Sequence, residues 1–310
     1  VEDLFERTPE AELYRVPAGG GWRSVSVSTF RAQAIALAQG LIARGIGPGE
    51  RVGIMSRTRY EWTLADVAIW YAGAVPVPIY ETSSVSQAAW ILKDSGAVAV
   101  FVEDATHAAV VESARAEATA VTQVWQIDAG GIQEVTDAGA DVSPEQVRAA
   151  SAAVGLADLA TIIYTSGTTG RPKGAELTHG NFVLLTKSAV EDLPEVVKQE
   201  GVSTLLFMPL AHVFARFVEV LALAGGMPLG HTPDPTKLVA DLATFQPTLI
   251  LAVPRVFEKV YNSAEQKAVA GGKEKIFAWA ARSAIAWSRA HDDGGKPGLA
   301  ASLKYKVADK

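Results

Sequence analysis

The chain has 310 residues, of which 49% are hydrophobic and 20% are charged. This balance is typical of a folded globular protein and excludes a chain that is disordered throughout. The formal net charge is −6, which argues against a nucleic-acid-binding protein because such proteins present a basic surface. The absence of cysteine excludes a disulfide scaffold, a cysteine-based zinc site and a cysteine nucleophile.

The sequence shows no membrane-spanning or secretory signal. No stretch reaches the roughly 18–20 apolar residues that a spanning helix needs, and the best candidate, residues 217–229, contains Glu219. The acidic N-terminus has no signal-peptide pattern. We therefore expect a cytoplasmic protein.

Helical and strand patterns alternate from residue 25 onward. Ser28 is placed to cap a first helix, which Gly45 ends. Helices are then predicted at residues 62–72, 86–93 and 106–118, from Ser143-Pro144 onward, and at residues 213–224, 236–245, 256–269 and 273–290. Short apolar runs predict strands at residues 51–55, 75–79, 97–102, 121–127, 159–164, 204–208 and 248–252.

Two of these segments have special composition. The strand at residues 75–79 contains Pro76 and Pro78, which predicts a sheet edge or a bend. Residues 128–142 are rich in Gly and Asp and predict a surface loop. Strands that alternate with helices predict an α/β fold, with mostly parallel sheets flanked by helices.

One segment concentrates the residue types that bind phosphate. It directly follows the predicted buried strand at residues 159–164 and reads Tyr164-Thr165-Ser166-Gly167-Thr168-Thr169-Gly170-Arg171-Pro172-Lys173-Gly174. Glycines let backbone N–H groups turn toward an anion, hydroxyls add donors, and lysine adds a mobile positive charge. The segment therefore predicts a polyphosphate site, with a Ser/Thr/Gly-rich surface turn as the plain alternative.

Two well-known phosphate loops do not fit this segment. The Walker A pattern needs Gly-Lys-Ser/Thr, but Gly170 is followed by Arg171 and Lys173 by Gly174. The dinucleotide pattern G-x-G-x-x-G is absent because Gly167 and Gly170 are separated by two residues. A P-loop ATPase is therefore a poor alternative.

The order Tyr-Thr-Ser-Gly-Thr-Thr-Gly-x-Pro-Lys-Gly matches the phosphate-loop signature of the acyl-adenylate-forming (AMP-binding) superfamily. Residues 72–78 resemble an early motif of that superfamily, and residues 206–214, which contain His212, resemble its acyl-pocket motif. Residues 80–84 and 253–261 resemble the long-chain fatty acyl-CoA ligase branch in particular. The chain thus resembles the N-terminal portion of a long-chain acyl-CoA synthetase.

This resemblance implies ATP, Mg²⁺, coenzyme A and a fatty acid as substrates and cofactors. It implies that His212 positions the carboxylate or the acyl phosphate, that Thr165 helps to hold Mg²⁺, and that Arg171 either offsets pyrophosphate charge or faces solvent. It leaves peripheral membrane contact open and assigns no catalytic residue; nucleic acid is already excluded as a partner by the net charge. The implied phosphate ligands are Thr165, Ser166, Gly167, Thr168, Thr169, Gly170 and Lys173.

The resemblance also implies a domain arrangement. Residues 1–310 correspond to the N-terminal part of the AMP-binding domain, with one subdomain at about 46–194 and a second at about 195–310 on which residues 1–45 pack. The family's Tyr-Gly-x-Thr-Glu motif, ribose-binding Asp, hinge and small C-terminal domain with its catalytic Lys are absent from this sequence. We therefore expect the 310-residue chain alone to be inactive or nearly so.

Two alternatives stay open at the level of sequence. One is adenylation of another carboxylate, such as a coumarate-like acid or an amino acid. The other is a non-catalytic nucleotide-binding or interaction fragment. Chain-length preference and oligomeric state cannot be read from the residues.

Overall fold

The computed structural model describes residues 1–165, 171–197, 201–292 and 299–308. The chain divides into two compact units, Val1–Leu251 and Ala252–Lys310. Strands occur in the first unit, whereas the described part of the second unit is helical. Among the described residues, no helix is long and apolar enough to cross a membrane.

The elements are numbered in chain order. The strands are β1 Glu12–Ala18, β2 Gly21–Ser26, β3 Arg51–Met55, β4 Val75–Ile79, β5 Ala97–Val102, β6 Gln123–Gln126, β7 Leu159–Thr165, β8 Lys173–Thr178, β9 Thr204–Leu206 and β10 Leu229–His231. The helices of the first unit are α1 Glu2–Arg7, α2 Val27–Ala43, α3 Tyr60–Tyr71, α4 Val85–Ser95, α5 Ala105–Ala114, α6 Gly131–Asp137, α7 Pro144–Ala152, α8 His179–Asp192, α9 Pro194–Val197, α10 Val213–Gly225 and α11 Leu238–Phe245. Those of the second unit are α12 Pro254–Ala270, α13 Glu274–Asp292 and α14 Leu299–Ala308.

A parallel four-stranded sheet in the order β4-β3-β5-β6 confirms the predicted α/β fold. Strand β4 lies at its edge, as Pro76 and Pro78 predicted. The carbonyl of Pro76 accepts a hydrogen bond from the Thr161 hydroxyl on β7 at 2.8 Å. The two prolines lack a backbone N–H, and their positions face away from β3, so the pairing of β4 with β3 loses no donor.

A second four-stranded sheet has the order β2-β1-β10-β9. Strands β1 and β2 form an antiparallel hairpin, whereas β1 pairs in parallel with β10 and β10 with β9. The N-terminal hairpin is thereby joined to strands near residues 204–231. The subdomain boundary near residue 195 stays a prediction.

Side-chain caps set several helix starts. Ser26, not Ser28, caps α2 by accepting a hydrogen bond from the backbone N–H of Thr29 at 3.2 Å. The prediction of Ser28 was wrong because two serines flank the helix start, and Ser26 is the one with extended backbone. Ser143 forms a capping box with Gln146, and Pro144 takes the first helical position, as predicted.

The predicted surface loop at residues 128–142 was wrong, because α6 lies within it. Val135 on α6 is fully buried. Its carbonyl oxygen is so close to Gly40 of α2 that a Cβ on Gly40 would lie only 1.8 Å from it. This close approach between two helices fixes the segment as a helix despite its composition. Tertiary packing has overridden a turn-like sequence.

The predicted strand at residues 248–252 was also wrong. Only Leu249 pairs, through one parallel bridge with Thr204. The backbone N–H groups of Thr248 and Leu249 both donate to the carbonyl of Ser203 at 3.1 Å, so the regular strand pattern does not develop. Pro247 precedes the segment and lacks a donor for a longer ladder.

The strand predicted at residues 159–164 exists as β7, but its partner was missed. It pairs antiparallel with β8 in a two-stranded sheet. The apolar run predicted a buried strand, and five of its seven residues are buried. Strand β8 carries no apolar signal of its own, since its first four residues are exposed.

The second unit confirms the helices predicted at residues 256–269 and 273–290 as α12 and α13. The Tyr261 and Phe277 rings lie 5.1 Å apart and join these two helices. Trp287 on α13 stacks on Tyr305 of α14 at 4.4 Å. Aromatic contacts therefore link the three described helices in sequence.

Candidate functional site

The β7–β8 hairpin places the two ends of the predicted phosphate-binding segment side by side. Thr165 ends β7 and Lys173 begins β8, and these two residues are paired across the hairpin. Both side chains are exposed. The predicted ligands Ser166, Gly167, Thr168, Thr169 and Gly170 lie outside the described residues.

His212 lies at the N-terminus of α10 and caps it. Its ring Nδ1 accepts a hydrogen bond from the backbone N–H of Phe214 at 3.2 Å. An accepting Nδ1 carries no proton, so the proton of the ring is on Nε2. His212 therefore offers a donor to a ligand oxygen, which suits a carboxylate or an acyl phosphate.

One cavity of about 360 Å³ joins these two parts of the sequence. Thr165 and Pro172 line it from the hairpin, and His212 lines it from the start of α10. Lys173 is not part of the lining but lies opposite Thr165 in the hairpin. The structure thus brings two of the predicted site residues to one cavity, with the lysine beside it.

The remainder of this cavity comes from two elements that the sequence analysis did not assign to a site. Tyr80 and Ser83 follow β4, and Gln87 and Ile91 lie on α4. Tyr80 and Ser83 fall within residues 80–84, whose resemblance to the long-chain branch was the available signal. The lining of the cavity is more apolar than polar, which fits an acyl-bearing ligand.

A larger cavity of about 920 Å³ contains none of the predicted site residues. It lies at the carboxyl ends of β3, β5, β6 and β10. Arg57 and Glu103 form an ion pair there, and Arg59 pairs with Glu61 and Asp128 at 2.7 Å. These charges satisfy one another, so they indicate a structural network at the sheet edge.

Hydrogen bonding at Glu103 supports this structural interpretation. Its side chain is 3% exposed. Burial alone would raise the pKa of Glu103, but hydrogen bonds from the side chain and backbone of Arg57 lower it below the ordinary value. The carboxylate is therefore held charged by its partner.

A buried ionic cluster lies behind His212. Arg216 on α10 contacts Asp66 on α3 at 2.5 Å and Glu219 at 3.4 Å, and all three side chains are 0–2% exposed. The Arg216 guanidinium also lies over the Trp62 ring, 4.9 Å from its centroid. The backbone N–H of Arg216 donates to the carbonyl of His212 at 3.1 Å. The cluster therefore fixes the helix that His212 caps.

The sequence analysis missed this cluster, although it had noted Glu219 as a charge within an apolar run. Two acids around one arginine carry a net charge of −1 when all three are ionised. Burial and the nearby Asp66 together raise the pKa of Glu219 to about 8, against the attraction of Arg216. The raised pKa favours the protonated form of Glu219 near neutral pH, and in that form Arg216 and Asp66 are a balanced pair.

This proton predicts a pH dependence of stability. The folded-state pKa of Glu219 lies above its ordinary value of 4.5, so the folded state binds this proton more tightly than the unfolded state does. The resulting contribution to the free energy of unfolding is complete below about pH 4.5 and is lost as the pH rises through about 8. We expect the free energy of unfolding from urea denaturation to fall between pH 5 and pH 8 less steeply in Glu219→Gln than in the wild type. Equal slopes for the two proteins would contradict this assignment.

Comparison with known proteins supports the resemblance. A family described as "AMP-binding enzyme" matches residues 1–300. The long-chain-fatty-acid–CoA ligase FadD15 of Mycobacterium tuberculosis (strain ATCC 25618 / H37Rv) is 45% identical over 305 residues, which cover 97% of this chain and 50% of the relative. The chain therefore spans about half the length of this curated relative.

Solved structures show the same fold. ATP-bound MatB from Rhodopseudomonas palustris has a TM-score of 0.70 and 25% identity, with 84% of this chain and 50% of that chain covered. The inhibitor-bound N-terminal domain of FACL13 from Mycobacterium tuberculosis has a TM-score of 0.66 and 26% identity, with 86% of this chain and 63% of that chain covered. The matched family, the curated relatives and these structures together confirm the predicted fold class and resemblance. The chain belongs to the AMP-binding enzyme family.

Proposed function

We propose that this chain is part of a ligase that activates a long-chain fatty acid with ATP and transfers the acyl group to coenzyme A. The observation that carries the proposal is the single cavity lined by Thr165 of the hairpin and His212 of α10. This lining supports the proposal because Thr165, at one end of the proposed phosphate-binding segment, shares the cavity with a side chain suited to donate to a carboxylate. The identity with a long-chain-fatty-acid–CoA ligase favours a long-chain substrate.

The chemistry has two steps. A carboxylate oxygen of the fatty acid attacks the α-phosphate of ATP, which forms acyl-adenylate and releases pyrophosphate. The thiol of coenzyme A, as its thiolate, then attacks the acyl carbon, which forms the thioester and releases AMP. Both steps need positioning and charge stabilisation more than a covalent contribution from the protein.

Residues of the chain have distinct proposed roles in the first step. Residues 165–170 and Lys173 bind the β- and γ-phosphates, with Lys173 offsetting the charge that develops on pyrophosphate. His212 donates from Nε2 to the carboxylate and orients its oxygen toward the α-phosphate. We assign no general base, because the fatty acid is already ionised at neutral pH.

Mg²⁺ fits the proposed site through oxygen ligands. The exposed hydroxyl of Thr165 lines the cavity and can supply one ligand. Mg²⁺ takes its other ligands from phosphate oxygens and water, so a cluster of protein carboxylates is not required. The ion would neutralise phosphate charge when bound.

A substrate panel tests the proposed function. The protein to assay is the parent enzyme, meaning a protein that carries this chain and extends over the full length of its relatives. We expect ATP–pyrophosphate exchange to be fastest with palmitate and slow with coumarate or amino acids. Faster exchange with coumarate or an amino acid would move the substrate to the alternative class. No exchange with any acid would favour a non-catalytic protein.

An assay of the 310-residue chain alone tests whether catalysis needs the parts of the family enzyme that are not in this sequence. We expect pyrophosphate release with ATP, Mg²⁺ and palmitate to be absent or nearly so. The family's adenine-contact motif, its ribose-binding Asp and its catalytic Lys are not in this sequence. A coupled pyrophosphate-release assay measures it. Turnover comparable with that of the parent enzyme would contradict the proposed requirement for those motifs.

A further inference from the structure

Helix α4 contacts both ends of the phosphate-binding segment. The indole N–H of Trp90 donates to the carbonyl of Pro172 at 2.9 Å, just before β8. The hydroxyl of Tyr164 donates to a carboxylate oxygen of Asp94 at 2.7 Å, at the end of β7. Trp90 and Asp94 are one helical turn apart and share a face of α4. Two neighbouring side chains of one helix therefore hold the two ends.

Helix α4 is itself firmly fixed. Ser84 and Gln87 form a capping box at its start, and Gly96 ends it in the left-handed conformation at φ 65°. Its inner face is buried against the parallel sheet through Ala88, Ala89, Ile91 and Leu92. A helix with both ends capped and one face buried is a rigid support for a loop.

Trp90 makes a second contact with the same segment. The Arg171 guanidinium lies over its ring, 4.7 Å from the centroid, in a cation–π contact. Trp90 thereby binds two consecutive residues that lead directly into Lys173. The contact also explains what Arg171 does in the structure: its guanidinium packs on Trp90 and helps to hold the segment against α4.

The hairpin is tightly packed at the same place. A Cβ on Gly174 would lie 2.8 Å from Cγ2 of Ile162 and 3.1 Å from Cζ of Tyr164. Burial and the neighbouring Asp94 carboxylate raise the pKa of Tyr164, so its hydroxyl stays protonated and donates. The Tyr164 ring is therefore held between α4 and the glycine of the facing strand.

We propose that Trp90 and Asp94 are positioning residues that fix the two ends of the phosphate-binding segment and so hold Lys173 in place for the phosphates of ATP. The identity of the ligand as ATP rests on the proposed function, whereas the anchoring of the two ends by α4 does not. A loop whose ends are fixed in advance loses less conformational entropy when it binds a ligand. Loss of an anchor should therefore weaken binding of ATP and leave binding of the fatty acid unchanged.

The variants Trp90→Phe and Tyr164→Phe each remove one of these hydrogen bonds and keep an aromatic ring. Matched controls are Trp22→Phe, which removes the indole bond to Thr244 at 3.1 Å, and Tyr71→Phe, which removes the hydroxyl bond to Glu2 at 2.5 Å. In the parent enzyme, we expect each anchor variant to raise the KM for ATP about five-fold, as the loss of one hydrogen bond implies. The KM for palmitate should not change, and the controls should match the wild type.

Limited trypsin digestion of the 310-residue chain tests the anchoring without any activity. Cleavage after Lys173 requires the start of β8 to open, whereas cleavage after Arg171 is blocked by Pro172. We expect each anchor variant to be cut after Lys173 about five-fold faster than the wild type and the controls, with the site identified by mass spectrometry. Cleavage rates equal to those of the controls would overturn the proposal.

The two readouts separate the proposals. Faster cleavage with a raised KM for ATP supports anchoring for ATP binding. Faster cleavage with an unchanged KM for ATP overturns the positioning role. If the parent enzyme does not use ATP at all, the proposed function fails, while the cleavage rates still decide whether α4 holds the segment.

Discussion

Replacing Lys173 by alanine in the parent enzyme is expected to slow acyl-adenylate formation about 10²-fold. The lysine begins β8 and is paired with Thr165, so it lies at one end of the segment proposed to bind the phosphates. A positive charge that meets developing charge on pyrophosphate stabilises the transition state, and the loss of one such donor typically costs about 10²–10³ in rate. ATP–pyrophosphate exchange with palmitate measures this step directly.

Lys187→Ala is the matched control. Lys187 is an exposed lysine on α8, 3.9 Å from Glu191, and lies outside the cavity. Its removal deletes the same charge from the same protein and should leave the exchange rate unchanged. Equal rates for Lys173→Ala and Lys187→Ala would show that the lysine of the segment does not act on the phosphates.

Replacing Arg216 by methionine is expected to destabilise the chain by about 3–5 kcal/mol. Arg216 is fully buried and pairs with the fully buried Asp66, so its removal leaves a carboxylate in an apolar environment without a cation. Urea denaturation at pH 7 followed by tryptophan fluorescence measures the loss. The Trp62 and Trp70 rings lie 4.9 and 5.2 Å from the guanidinium, so the signal reports on this region.

An exposed arginine provides the comparison. Arg148 pairs with Glu145 on the surface of α7, where both side chains are more than half exposed. Arg148→Met should therefore cost about 0–1 kcal/mol, as surface ion pairs do. The double variant Arg216→Met/Asp66→Asn should recover part of the loss, since the buried charge is removed together with its partner. A loss below about 1 kcal/mol in Arg216→Met would contradict the buried-pair account.

The parallel sheet could be predicted from local sequence, because its strands are short apolar runs between clear helix signals. Strand β8 could not, since its exposed residues acquire their structure only from the antiparallel partner β7. The error at residues 128–142 has a similar cause. Gly130 and Gly131 read as a turn, whereas the contact of Val135 with Gly40 fixes a helix there.

The candidate site shows the same division. The segment from Thr165 to Lys173 was visible as a contiguous motif, and His212 as part of another. That Thr165 and His212 line one cavity depends on the tertiary fold. The contacts of Trp90 with Pro172 and of Arg216 with Asp66 join residues far apart in the chain, so one sequence gives no sign of either.

A structure of the parent enzyme with a non-hydrolysable ATP analogue and Mg²⁺ tests the phosphate assignment most directly. The account predicts that the β- and γ-phosphates lie within hydrogen-bonding distance of residues 165–170, with the Lys173 ammonium beside them and His212 facing the α-phosphate. Phosphates bound elsewhere, with this hairpin open to solvent, would contradict the central claim.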